Sequence, residues 1–149
     1  MIAERQRRYE LTIANAEAFI SEHKAKGLKW TPIGALQGWD EKSFADAARQ
    51  YVAMGYDYIA VGSMVRRKTQ EILSIVSAVR AVIPNHTRLH LFGVARLNAI
   101  NQLANAGVTS ADSASALRRA WLGTGNNYLG ANGEQYAAIR IPEGGKSFR

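Results

Sequence analysis

The chain has 149 residues, 47% hydrophobic content, no cysteine and a formal net charge of +7. That length suits one domain with a real core, no apolar run is long enough to span a bilayer, and the lack of cysteine excludes disulfides, thiolate nucleophiles and cysteine-based zinc or iron–sulfur sites. The charged start, Met1 to Arg8, leads into helical periodicity and not into an apolar signal core, so the expected compartment is the cytoplasm, with a polyanionic partner favoured by the charge.

From Arg5 to Lys26, apolar residues including Leu11, Ala14 and Ala18 recur at helical spacing, and Gly27 supplies a left-handed stop. A first strand is expected at Thr31 to Gln37. Gly38-Trp39-Asp40 then turns into a helix capped by Asp40, with Phe44, Ala47, Ala48, Tyr51 and Val52 on one stripe and Gly55 at its end. The second strand, Tyr58 to Val61, stops at Gly62-Ser63, and its helix carries Ile72, Ile75, Val76, Val79 and Ile83 before Pro84. A third strand at Leu89 to Val94 precedes a helix with Leu97, Ile100, Leu103 and Ala104 on its apolar face. The fourth strand runs from Val108 to Asp112. A Gly- and Asn-rich loop, 123–133, leads to a short strand at Tyr136 to Ile141, and the tail 143–149 is expected to fray.

Four strand–helix units in succession, with no linker between them, define an α/β fold of parallel strands: one domain, 1–149, with an N-terminal helix and a C-terminal strand. In such sheets the chemistry gathers at the C-terminal ends of the strands. Gln37, Gly62, Ser63, Phe92, Gly93 and Asp112 all fall at those ends, and Arg66, Arg67, Arg96, Arg118 and Arg119 follow closely. Taken singly, each has an ordinary explanation: a glycine in a tight turn, a core phenylalanine, a solvated arginine. Their convergence on one end of the sheet favours a site. Asp57 lies at the other end, where a turn or stability role is expected. His23, His86 and His90 show no metal-ligand spacing and read as solvated helix and loop positions, so no metal or cofactor is expected.

The segments Ile33 to Gly38, Tyr58 to Ser63, Leu91 to Val94 and Gly107 to Asp112 resemble, in order and spacing, the C-terminal half of tRNA-guanine transglycosylases. Ser113 to Trp121, Asn127-Tyr128 and Tyr136 to Pro142 are more similar to the branch that inserts 7-deazaguanine bases into DNA. The resemblance implies that Asp112 is the nucleophile. It implies that Gln37 and the Gly62-Ser63 backbone read the base, that Phe92 with Gly93 backs it, and that Arg118 contacts the nucleic acid. The implied activity is pentosyl transfer: guanine in DNA, or less favourably tRNA, is replaced by a base such as 7-cyano-7-deazaguanine through a covalent aspartyl-glycosyl intermediate. Two departures stand out. Ser63 replaces the second of a usual pair of glycines, and the chain supplies only the last four units of the family's (β/α)8 barrel, a half-barrel, so the second family aspartate falls in the other half. The family's Cys/His zinc site has no counterpart here either.

Three readings stay open at this point: a guanine transglycosylase or its catalytic half; a non-catalytic nucleic-acid-binding or partner subunit of that fold; and, ranked last, an unrelated barrel enzyme for a phosphorylated metabolite. Four strands leave two edges, so a partner is expected. It is either a second copy of the chain or a complementary N-terminal half-barrel, unless the N-terminal helix and the 136–141 strand are recruited as cover.

Overall fold

The computed structural model describes residues 2–94, 96–115, 118, 128–130 and 132–137. Two compact units, Met1–Asp112 and Ser113–Arg149, are taken separately. The first contains α1 (Ile2–Ala25), β1 (Gly34–Leu36), α2 (Glu41–Met54), β2 (Tyr58–Val61), α3 (Thr69–Arg80), β3 (Arg88–Leu91), a 3-10 turn (Leu97–Ala99) leading into α4 (Ile100–Asn105), and β4 (Ser110–Ala111). The strands form one parallel sheet in the order β1-β2-β3-β4, with Gly34, Ile59 and Leu89 in one row and Ala60, His90 and Ser110 in another. This is the sequential parallel arrangement expected of a half-barrel.

Side chains alternate along each strand, so the sheet has two unlike faces. Leu36, Ile59, Val61, Leu89 and Leu91 are fully buried and join Phe44, Tyr51, Ile72, Ile75, Val76 and Val79 of the helices in the core. Ala35, Tyr58, Arg88, His90 and Ser110 occupy the opposite face. Local signals set the element ends as the sequence suggests. Asp40 caps α2 by accepting from Ser43 N at 2.8 Å, while Ser43 Oγ accepts from Asp40 N at 3.0 Å. The Ser43 amide also holds the Asp40 carboxyl below its ordinary range. Gly27 and Gly55 close α1 and α2 at positive φ, 59° and 96°.

The N-terminal helix departs from the expected stripe. Leu11 is 50% exposed, and the residues turned inward are Tyr9, Ile13, Ala16, Ile20 and His23. Apolar residues lie around much of this helix, and its neighbours select the face. Tyr56 donates to Ala16 O at 2.8 Å and Lys24 to Met54 O at 2.8 Å, which locks the Ala16 side against α2 and the turn after it. His23 is accordingly buried, its Nε2 2.8 Å from Trp30 O, and not solvated as the sequence suggests. The strands are shorter than expected: β1 covers only Gly34–Leu36 of the 31–37 run, and β3 ends at Leu91 because Gly93 takes φ 72°. In the fourth helix Leu103 is buried but Ile100 is 54% exposed, since the 3-10 turn breaks the 3.6-residue phase.

In the second unit, β5 (Tyr128–Leu129) and β6 (Gln135–Tyr136) form an antiparallel pair. The strand expected at 136–141 thus starts one residue early and pairs with β5 in its own two-stranded sheet. Residues 138–141 and the tail 143–149 lie outside the described residues.

Gly34 illustrates how tightly β1 sits on the helices. A Cβ there would fall 2.4 Å from Tyr51 Cδ1, and the Tyr51 ring is anchored by its hydroxyl on Ala35 O at 2.9 Å. Gly34→Ala is expected to lower stability by about 1–3 kcal/mol through overpacking, read as a lower urea midpoint with an unchanged denaturant slope.

Candidate active site

The helix-facing strand positions are fixed by burial, so the intervening ones are delivered together to the open face. Gln37, Gly62, Phe92 and Asp112 continue the rows of Ala35, Ala60, His90 and Ser110 beyond the strand ends. These four expected site residues are thereby gathered at one end of one face. They form two clusters.

The first joins β1 and β2. Ser63 Oγ donates to Gln37 Oε1 at 2.5 Å, which fixes the orientation of the Gln37 amide. Ser63 is the only non-glycine residue with positive φ among the described residues, at 63°. Its backbone holds a shape that glycine adopts freely, at a cost on the order of 1 kcal/mol. Gly62 keeps its own requirement, because an added Cβ would fall 2.5 Å from Gln37 Nε2. The Gly62 N–H is engaged by Leu36 O at 3.1 Å, so it is not a free donor for a base. Beside this cluster lies an open cavity of about 930 Å³, lined by Gln37, Gly38, Trp39 and Ser63 together with Glu4, Arg5, Arg8 and Tyr9 of α1. It adjoins the β1 side of the site, whereas Asp112 stands on the β4 side.

The second cluster is built around Asp112. Its carboxylate Oδ1 accepts from Gly93 N at 3.0 Å and lies 3.1 Å from His90 Nε2. The Gly93 amide first and His90 second hold the Asp112 carboxyl below its ordinary range. The side chain is nonetheless 57% exposed, so an ionised carboxylate faces solvent at the strand end. Phe92 is 39% exposed and presents its ring on the same face, edge-on to His90 at 4.9 Å. It is not ordinary core.

His90 is the residue sequence reasoning missed. It is 14% exposed in its side chain, with Nδ1 2.7 Å from Ser110 Oγ, which in turn lies 2.5 Å from the Tyr58 hydroxyl. The available signal was parity: His90 stands two residues before Phe92, and Ser110 two before Asp112. His86 is exposed in a turn. With His23, His86 and His90 so separated and no cysteine in the chain, these residues do not fit the Cys/His zinc site that the resemblance implies, and among the described residues no three ligating side chains come together.

The arginines divide. Arg67 Nη2 donates to Trp39 O at 3.1 Å, and Arg96 donates to Thr69 Oγ1 at 2.8 Å and to the Arg67 carbonyl, so these two tie successive strand–helix loops together. Arg66 is exposed after β2. Arg118 belongs to the second unit, where its N–H donates to Ala114 O at 2.8 Å and its side chain is exposed. Arg119 lies outside the described residues. Asp57 holds the far end of the sheet, its carbonyl accepting from Arg88 N at 2.8 Å.

A parallel strand–helix sheet with an exposed, ionised aspartate and an oriented amide at its strand C-terminal ends has its polar groups where (β/α)8 barrels carry their sites. Comparison with known proteins makes this specific. A family model described as queuine tRNA-ribosyltransferase matches residues 3–130, and the chain belongs to that family. It is also 34% identical over 143 residues to a DNA-guanine transglycosylase from Salmonella montevideo, a match covering 96% of this chain and 34% of that protein. The chain spans about a third of the length of this relative.

Two outcomes are expected from the site geometry. Ser63→Gly and Ser63→Ala should both release the Gln37 amide, seen as altered side-chain amide resonances. The alanine variant should be the less stable by about 1 kcal/mol, since it keeps the left-handed backbone without the hydroxyl. Because the folded pKa of Asp112 is depressed, the stability it contributes is present above the ordinary carboxylate range and is lost as pH falls through the lowered value. A carbon-13 titration of its carboxyl should therefore show a midpoint below the roughly 3.9 of an unperturbed aspartate.

Proposed function

We propose that the chain carries the nucleophilic half of a guanine transglycosylase site, exchanging guanine in nucleic acid, DNA in preference to tRNA, for a 7-deazaguanine such as 7-cyano-7-deazaguanine. The observation that carries this reading is the exposed Asp112 carboxylate, held ionised at a strand end by the Gly93 N–H. Family membership supplies the reaction class, and the similarity to a DNA-guanine transglycosylase favours DNA.

In the proposed cycle an Asp112 oxygen attacks the anomeric carbon of the target nucleoside. The glycosidic C–N bond breaks, and guanine departs with the electron pair and takes up a proton. The resulting aspartyl-glycosyl ester is then attacked by the ring nitrogen of the incoming base, which loses its proton while Asp112 leaves as carboxylate. Two inversions give net retention. Gln37, with its amide oriented by Ser63, reads an edge of a base taken out of its stack, and the half-exposed Phe92 ring offers a surface to its plane. Arg66 and Arg118 hold phosphates, with Arg119 assigned the same role. Arg67 and Arg96 act mainly by fixing the loops that carry them. The second carboxylate that such chemistry uses for proton transfer would come from a complementary half-barrel or a second copy, paired along the outer edge of β1 or β4. A second reading, a nucleic-acid-binding partner subunit without turnover, is favoured by one observation: the formal net charge of +7. Among the described residues no helix is long and apolar enough to cross a membrane.

Exchange of labelled guanine into DNA and into tRNA, with the chain alone and with a complementary half, tests the proposal. Asp112→Asn should lower exchange by about a thousandfold or more, as loss of a nucleophile does, while nucleic-acid affinity stays within twofold. Exchange that survives this substitution would remove Asp112 from the chemistry, and binding without exchange under every condition would support the partner-subunit reading. Arg66→Ala and Arg118→Ala should each flatten the log–log salt dependence of duplex binding by about 0.9 per lost phosphate contact. Unchanged slopes would make both ordinary surface charge.

A further inference from the structure

We infer that His90 is a positioning residue for Asp112, held in its Nε2–H tautomer by a directed hydrogen-bond chain that starts at Tyr58 and passes through Ser110. The consequence for turnover rests on the reading of Asp112 as nucleophile; the tautomer and its effect on the carboxylate do not.

The direction of the chain follows from which atoms can donate. An ionised carboxylate only accepts, so the proton on the 3.1 Å contact between His90 Nε2 and Asp112 Oδ1 sits on the nitrogen. A neutral imidazole then has only a lone pair at Nδ1, and the Ser110 hydroxyl 2.7 Å away must donate to it. The Ser110 oxygen, having given its proton to this bond, accepts from the Tyr58 hydroxyl at 2.5 Å. Three side chains on three adjacent strands are thereby set in one sense. An imidazolium would donate at both nitrogens and reverse the Ser110 and Tyr58 bonds.

The sheet register makes this possible. Ala60, His90 and Ser110 share one row, and the Tyr58 side chain, one row away on the same face, reaches across to Ser110. The ring is confined by Phe92 edge-on at 4.9 Å and by Tyr58 edge-on at 6.5 Å. Among the described residues, the charged groups that the strands themselves place beside this hydrogen-bond chain are Asp112 and Arg88. The Arg88 guanidinium lies 4.3 Å over the Tyr58 ring, with Asp57 3.9 Å from it on the far side of the strand start.

His90 and the Gly93 N–H both converge on Oδ1. With both donors on Oδ1, the carboxylate is oriented with Oδ2 as the reacting oxygen. The role of His90 is to hold that orientation, not to touch the substrate.

Nitrogen-15 spectra of the imidazoles in the intact chain test the tautomer without any reaction. The expected result is an Nε2–H tautomer for neutral His90 that becomes a mixture in Ser110→Ala. A parent Nδ1–H tautomer, or one indifferent to Ser110→Ala, would overturn the directed chain. The positioning half is read on Asp112 itself: its carboxyl midpoint should rise in His90→Phe and return toward the parent value in His90→Gln, whose amide N–H can replace the donor. A midpoint unmoved by His90→Phe would overturn it, and Ser110→Ala, a milder change, gives the same readout should the phenylalanine variant fail to fold. In the exchange assay, His90→Phe should lower kcat by about 10- to 100-fold with KM within twofold, as a misplaced reacting group does. No exchange by any form of the protein, with the spectra as expected, would count against the guanine-exchange reading and leave the positioning of Asp112 supported.

Discussion

The burial of one face of the sheet is the constraint on which the rest depends. Leu36, Ile59, Val61, Leu89 and Leu91 leave water together against α2 and α3, and five such side chains outweigh any preference of the polar residues between them. With a period of two, fixing these positions also fixes Gln37, Tyr58, His90, Ser110 and Asp112 on the opposite face. A slip of one residue in any strand would send its polar set into the core, so the hydrophobic packing selects the register and the register assembles the site.

The ends of the strands are then shaped by backbone conformations that side chains resist. Gly93 turns at φ 72° and so aims its N–H at Asp112 Oδ1. A Cβ there would meet Val65 Cγ2 at 2.6 Å and would sit on a left-handed backbone, so a larger residue would be strained in this turn. Ser63 takes a similar left-handed conformation without being glycine, and its hydroxyl is the part that engages Gln37. The two clusters thus use the same device differently. One presents a backbone donor to a carboxylate; the other accepts local strain to orient an amide.

Charge on this face is organised around the same economy of contacts. Among the described residues of the first unit, Asp112 is kept ionised by the Gly93 amide and the His90 imidazole and not by a salt bridge to arginine, and its side chain stays exposed. Arg67 and Arg96 spend donors on the carbonyls of Trp39 and Arg67 and so stiffen the loops after β1, β2 and β3. Arg66 keeps its cation exposed. Positive charge that looks uniform in the sequence is therefore divided between structural ties and available cations.

The sequence by itself determined the order of strands and helices, the Asp40 cap, the glycine stops at Gly27 and Gly55, and the placing of Gln37, Gly62, Phe92 and Asp112 at strand ends. Each of these is a local matter: a 2.0 or 3.6 period, or a residue type suited to one backbone shape. The tertiary structure alone decided which stripe of α1 turned inward, because that helix offers several apolar faces and Tyr56 and α2 select among them. It alone showed that His90 belongs to the site, since the bonds from Tyr58 to Ser110 to His90 to Asp112 join residues as far as 52 positions apart. Contacts of that span depend on strand register, which is fixed only when the helices have packed and the sheet has closed up beneath them.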